Sequence, residues 1–209
     1  MESFNKENLV DAIRKTKTLM IENKQYLTDL DSVLGDGDLG LTMTKGFTDA
    51  LDTAESFQGA DIGKLFKQVG FTLAKSVPST MGTLMASAFI GAGKKVDGSE
   101  ALDSVSLAAC FRSMAEAVSM RGKSKEGDKT LLDVLFPVSR AMEACESPNI
   151  SVCLNKALSV AEESLEKTKE MINQHGKAAV YREKSLGHLD PGAVAAYFLV
   201  KGFAQAAQF

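Results

Sequence analysis

Leu154-Asn155-Lys156-Ala157-Leu158-Ser159-Val160-Ala161-Glu162-Glu163-Ser164-Leu165-Glu166-Lys167-Thr168-Lys169-Glu170-Met171-Ile172 decides the fold class. In it Leu154, Leu158, Ala161, Leu165, Thr168 and Ile172 recur at steps of 4, 3, 4, 3 and 4. That repeat lines one face of a 3.6-residue helix and does not fit a strand. It is the cleanest period in the chain, and weaker versions lie on both sides of it. Upstream, Leu9, Ile13, Thr16 and Met20 step by 4, 3 and 4. Helical spacing also covers 41–57, 61–77, 81–92, 102–120 and 130–145, the last with Pro137 inside as a kink. Downstream, Asp190-Pro191 places an N-cap acid before a proline at the first helical position. The largely apolar stretch 193–207 that follows reads as a central packing helix.

No stretch alternates with period two, and most connections are short. The expected architecture is all-α, an antiparallel up-and-down bundle or helical barrel. At 209 residues, without a biased linker or an internal repeat, residues 1–209 read as a single domain. If the helices run antiparallel, the loops 35–40, 77–82, 121–129 and 176–192 can share one end. These loops hold many of the glycines, prolines and charges.

Composition excludes several classes of function. A net charge of -3 with 24% charged residues shows no basic clustering of the kind a nucleic-acid surface needs. The start, Met1-Glu2-Ser3-Phe4-Asn5-Lys6, is polar, and no apolar run approaches a membrane span. A cytoplasmic protein is expected. Cys110, Cys145 and Cys153 sit in apolar helical context without C-x-x-C spacing and read as reduced core thiols.

The chemistry concentrates in Leu30-Asp31-Ser32-Val33-Leu34-Gly35-Asp36-Gly37-Asp38-Leu39-Gly40. Three carboxylates this close repel one another unless a cation or a proton neutralises them. Magnesium takes hard oxygen ligands and keeps positions open for phosphate oxygens. The glycines let the backbone bend so that Asp36 and Asp38 converge. Gly35 to Gly40 fits G-x-G-x-x-G, but no strand precedes it, and its acids would repel a pyrophosphate. An EF-hand counted from Asp36 would need an oxygen ligand at Gly40 and Glu at Phe47, and fails. A plain acidic turn with Asp38 as helix N-cap accounts for part of the pattern. Asp31, five residues before Asp36, tilts the reading toward a metal cage.

Three further loops suit an anion. Val77-Pro78-Ser79-Thr80-Met81-Gly82-Thr83 offers hydroxyls and helix-start amides for phosphate oxygens, although an ordinary capped helix start explains it as well. Arg121-Gly122-Lys123-Ser124 mimics the end of a P-loop but lacks its first glycine and its strand. Arg121, Lys123, Lys125 and Lys129 read as a solvated basic loop. The segment 176–192 is long for a compact bundle, carries Lys177, Arg182, Lys184 and His188, and runs into a helix start. A lone histidine such as His188 is more often structural than catalytic. There is no Ser-His-Asp or Cys-His arrangement, and no nucleophile or base is assigned. Acid ligands, helix-start donors and basic loops are the parts phosphoryl transfer uses, because it needs positioning and charge neutralisation more than a protein nucleophile.

Three segments, in order and spacing, resemble the nucleotide-binding L subunit family of bacterial dihydroxyacetone kinases. They are Leu30-Asp31 with Gly35-Asp36-Gly37-Asp38-Leu39-Gly40, Arg121-Gly122-Lys123 with Gly127-Asp128-Lys129-Thr130, and Ser185-Leu186-Gly187-His188-Leu189-Asp190-Pro191-Gly192-Ala193. The resemblance spans nearly the whole chain. It implies a barrel of eight antiparallel helices with a nucleotide, ADP or ATP, at one end. It also implies that Asp31, Asp36 and Asp38 hold two magnesium ions. Nucleotide contacts would fall on Leu39, Gly40, Leu41, Thr42, Thr80, Met81, Gly122, Leu131, Lys177, Asp190, Pro191 and Gly192. The acceptor would be a short ketose such as dihydroxyacetone, held on a separate K subunit, with a phosphocarrier M subunit recharging the bound nucleotide.

The chain departs from the family at several of these positions. Leu39 stands where a histidine is common, Thr42 where an asparagine is, and Lys177 where an arginine is. The last exchange turns a bidentate phosphate contact into a point charge. The alternatives are an ATP-using kinase subunit for a ketose such as erythrulose, and a nucleotide-sensing module without catalysis.

Overall fold

The computed structural model describes residues 1–208 and is built almost wholly of helix. Among the described residues nine α-helices follow one another: α1 (Lys6–Glu22), α2 (Lys24–Leu34), α3 (Leu39–Ser56), α4 (Ile62–Ser76), α5 (Thr80–Lys95), α6 (Ser104–Gly122), α7 (Leu132–Glu143), α8 (Ile150–Lys167) and α9 (Pro191–Ala206). Side chains mark most of the starts: Asn5, Asp61, Ser79, Asp103, Asn149 and Asp190 each accept an amide from the first turn. None of these helices is long and apolar enough to cross a membrane.

The helices close into a ring in chain order. α1 packs on α3, each helix from α3 to α8 packs on the next, and α9 returns to α1. α2 stands outside the ring against α3. Eight helices therefore form the barrel, and the ninth arises because Asn23 interrupts the N-terminal segment. Asn23 takes a non-helical backbone, and its Nδ2 donates to the Leu19 carbonyl at 2.9 Å.

α9 is buried along most of its length, as its apolar composition predicts. Its Phe203 stacks on Phe4 at 5.8 Å and on Phe66 at 6.5 Å, and meets Phe111 edge-on at 5.3 Å. Phe89 continues the cluster to Phe66 and Phe47. These rings draw α3, α4, α5, α6 and α9 onto one apolar centre. Gly202 lets α9 lie against α1, since a Cβ there would sit 2.1 Å from Thr16 Oγ1.

Several sequence expectations need correction. α8 ends at Lys167, although the period runs to Ile172. The Thr168 hydroxyl bonds the Leu165 carbonyl at 2.7 Å, and the backbone tightens into a 3-10 turn, Thr168–Glu170. Two short strands exist where none was expected, β1 (Phe4–Asn5) and β2 (Ala101–Leu102), paired antiparallel. They tie the buried Phe4 to the α5–α6 connection. Cys110 is a buried free thiol, as expected, and burial pushes its pKa up to about 12. Cys145 and Cys153 are not free but form a disulfide. The tight α7–α8 turn brings their Cα atoms within 5.5 Å, a closeness that spacing alone does not reveal.

This bond lies at the end of the barrel where the termini meet. The Met1 carbonyl accepts the Ile150 amide at 2.9 Å, and the Ser151 hydroxyl donates to the Ala207 carbonyl. Closing a loop of this size is worth about 2–3 kcal/mol. Reduction should therefore lower the thermal midpoint by about 5–10 °C. Cys145→Ser should show the same drop with no further response to reductant, checked by thermal melts with and without reductant.

Candidate functional site

The acidic loop is shaped by its backbone before any ligand is considered. α2 ends with the Gly35 amide donating to the Asp31 carbonyl at 2.6 Å. Gly37 then turns the chain through φ +71°, where a side chain would be strained and would run into Ser32 Oγ. Asp38 occupies the N-cap position of α3 but accepts no amide through its side chain. Asp31 does that work from the preceding helix. Its Oδ2 receives the amides of Asp38 at 3.1 Å and Leu39 at 3.3 Å. The capping account of Asp38 therefore fails, and its carboxylate is left for another partner.

Asp31, Asp36 and Asp38 each offer an oxygen within 4.8 Å of the others. Among the described residues, no other group of His, Cys, Asp or Glu is gathered in this way. Burial pushes the Asp31 carboxyl up, and the neighbouring charges of Asp36 and Asp38 add to the rise. Lys177 holds Asp36 below the usual carboxylate range through a direct hydrogen bond and ion pair. A cluster with oxygen donors only, one member pushed toward protonation and one borrowing a lysine, is short of positive charge. Its donor chemistry fits a hard divalent cation.

The cleft above this loop is bounded by three helix starts. Leu39 opens α3, Ser79, Thr80 and Met81 open α5, and Pro191 and Gly192 open α9. Amides at helix starts point outward with the positive end of the dipole, which suits phosphate oxygens. Ser79 is engaged in capping, its hydroxyl accepting the Gly82 amide at 3.0 Å. The fourth wall is the segment between α8 and α9, with Asn173, His175, Lys177 and His188 facing the cleft.

The structure thus brings together Asp31, Asp36, Asp38, Leu39, Thr80, Met81, Lys177, Pro191 and Gly192. The remaining sequence candidates, Asp190 among them, lie outside the cleft lining. Gly40 is pressed against the Lys24 carbonyl of α2, and Leu41 faces solvent. Thr42 is buried in the first turn of α3. Gly122 ends α6 beside Ser124 and Leu84. Leu131 is buried with its amide close to Gly192. Asn173 and His175 were missed because helical periodicity carried the reading of α8 through Ile172. Lys129 is also misread as solvated, since only 1% of it is exposed.

Fold and site together define an eight-helix barrel with a carboxylate-lined cleft at one end. The chain belongs to the DAK2 domain family, whose sequence profile matches residues 33–205. It is 34% identical, over 99% of both chains, to the ADP-binding subunit of a PEP-dependent dihydroxyacetone kinase of Escherichia coli K12. It is 35% identical to the corresponding subunit of kinase 1 of Listeria innocua, over 88% of each. The dihydroxyacetone kinase of C. freundii, solved in complex with AMP-PNP and Mg2+, shares the fold with a TM-score of 0.73 at 24% identity. That match covers 94% of this chain and spans about a third of the other, 33%.

Asp190, buried at the start of α9 beside the cleft-lining Pro191 and Gly192, allows a pH test. Its carboxylate caps α9 through the Ala193 amide at 2.8 Å and accepts Asn173 Nδ2 at 3.2 Å. Burial outweighs both bonds and pushes its pKa up to about 6. A carboxyl raised above its ordinary 3.8 stabilises the fold most when protonated, below about pH 4, and that contribution is lost as pH rises through about 6. Asp190→Asn, which keeps a capping side chain, should gain on the wild type by about 2–3 kcal/mol between pH 4 and 7. Urea unfolding of both proteins across that range reads the difference.

Proposed function

We propose that this chain is the ADP-binding L subunit of a dihydroxyacetone kinase, a phosphotransferase acting on a short ketose held by a separate K subunit. In this reading a phosphoenolpyruvate-dependent phosphocarrier M subunit recharges the bound nucleotide, and the complex works in the cytoplasm. The observation that carries the reading is the junction of three convergent carboxylates with three helix starts around one cleft. The similarity to subunits named for ADP binding, over 99% and 88% of this chain, supports ADP as the ligand of that junction.

Asp31, Asp36 and Asp38 would hold magnesium, two ions in this proposal, and the bound metal would neutralise phosphate charge during transfer. Asp31 positions the loop by capping α3 while leaving its second oxygen for the metal. Thr80, Met81 and Gly192 line the cleft at two helix starts, where backbone amides suit phosphate oxygens. Lys177 is 64% and Asp36 48% exposed in their ion pair, and such solvated pairs are weak. Lys177 can therefore leave Asp36 for a phosphate when a cation takes its place. No side chain here needs to act as nucleophile, and in this reading the separate K subunit brings the ketose to the cleft.

Calorimetry with magnesium and ADP should show binding by the wild type and none by Asp36→Ala. Absence of magnesium-dependent nucleotide binding in the wild type would sink the proposal. Reconstitution with K and M partners and phosphoenolpyruvate should phosphorylate dihydroxyacetone. Replacing phosphoenolpyruvate and the M subunit by ATP, and dihydroxyacetone by erythrulose, tests the alternative donor and acceptor. Binding without turnover in every combination would favour a nucleotide sensor.

A further inference from the structure

Lys129 is a buried charged group to which the proposed function gives no role. Its side chain is fully buried, far from the usual surface position of a lysine. Its backbone has φ +59°, a left-handed conformation disfavoured for any residue with a Cβ. Two costs on one residue are tolerated only where the surroundings enforce them. Here Asp133, in the first turn of α7, accepts the amides of Gly127 at 2.5 Å and Thr130 at 2.6 Å, gripping the chain on both sides of Lys129.

The ammonium is aimed at the segment that forms the fourth wall of the cleft. Nζ donates to the Met171 carbonyl at 3.2 Å and to the Ser185 carbonyl at 2.5 Å, near the two ends of that segment. The Lys129 carbonyl accepts Asn173 Nδ2 at 3.0 Å, and the same amide nitrogen reaches Asp190 Oδ1 at 3.2 Å. The Asn173 backbone amide bonds Ser185 Oγ at 3.1 Å, drawing the two ends together. Asp128, next in the chain, receives His175 Nε2 at 2.8 Å, and its carbonyl accepts the Gln174 amide at 3.0 Å. The rest of the segment from Gly176 to Lys184 is largely exposed and has little apolar anchorage.

We infer that Lys129 is a positioning residue for the nucleotide: its buried ammonium pins the 171–185 segment by both ends and so sets Lys177, Asn173 and the start of α9 around the cleft. An apolar side chain at this place would leave two inward carbonyls without donors, and the segment would open to satisfy them in water. Lysine suits the task because its compact head offers three donors that two carbonyls on separate strands of chain can share. The acidic loop belongs to α2 and α3 and makes no bond to Lys129; it meets the pinned segment through the exposed Lys177–Asp36 pair, whose loss frees a carboxylate for the metal.

This inference rests on the nucleotide-binding reading of the cleft, and the test separates the two. Lys129→Met removes the ammonium at similar length, and Lys129→Gln keeps a neutral donor should the methionine variant not fold. Relative to wild type, magnesium-ADP affinity by calorimetry should fall about tenfold or more in Lys129→Met and less in Lys129→Gln, as for lost preorganisation. Without nucleotide, trypsin cleavage after Lys177, Arg182 and Lys184 should accelerate in the same order. Manganese binding by the acidic loop alone should not weaken, because its ligands lie outside the pinned segment and Lys177, which meets Asp36 from that segment, competes with the cation. A folded variant with wild-type ADP affinity and wild-type cleavage overturns the inference, and a lowered melting temperature as the only change assigns Lys129 a merely structural role. If the wild type binds no ADP, the reading of the cleft fails, while the cleavage rates still decide whether Lys129 pins the segment.

Discussion

The structure depends on a ring of helices that closes in chain order. When eight helices pack each on the next and the last returns to the first, successive helices must alternate in sense. α3, α5, α7 and α9 then begin at the same end, and their positive dipole ends converge there without any residue being chosen for the purpose. The closing contact is α9 on α1, made possible by Gly202 against Thr16 and filled from inside by Phe203. A bulky side chain at Gly202 would push α9 off α1, and the start of α9 would leave the cleft with it.

Against that field of partial positive charge the acidic loop is the counterweight. Three carboxylates held within 4.8 Å would drive the loop apart in any place lacking cations or donors. The fold manages them in different ways. Asp31 is turned into a cap for the neighbouring helix, Asp36 borrows Lys177 from the α8–α9 segment, and Asp38 is left without an amide partner. The free protein thereby keeps an excess of negative charge in the loop, at the spot where the helix starts favour phosphate.

The two ends of the barrel divide the labour. At one end the termini, the β1–β2 pair and the Cys145–Cys153 bond fasten the chain. At the other end lie the left-handed backbones of Lys123, Lys129 and Arg182, the buried Lys129 and the buried Asp190. Features that cost stability are thus gathered around the cleft, and features that supply it are gathered away from it.

Periodicity alone determined the all-α class, because burying one face of a helix imposes a 3.6-residue repeat that survives in the order of Leu154, Leu158, Ala161 and Leu165. Asp31, Asp36 and Asp38 were legible as a carboxylate cluster because their charges lie close along the chain and Coulomb repulsion needs no fold to be noticed. The start of α9 was legible from Asp190-Pro191 because capping is local. What joins distant segments was not legible. Asp31, not Asp38, caps α3, and Lys177 meets Asp36 across most of the chain. Cys145 and Cys153 pair because of one tight turn, and Lys129 leaves solvent because the segment before α9 folds over it. Such contacts carry no periodic or local signature, since they are set by which helices the ring makes neighbours, and only the tertiary structure decides that.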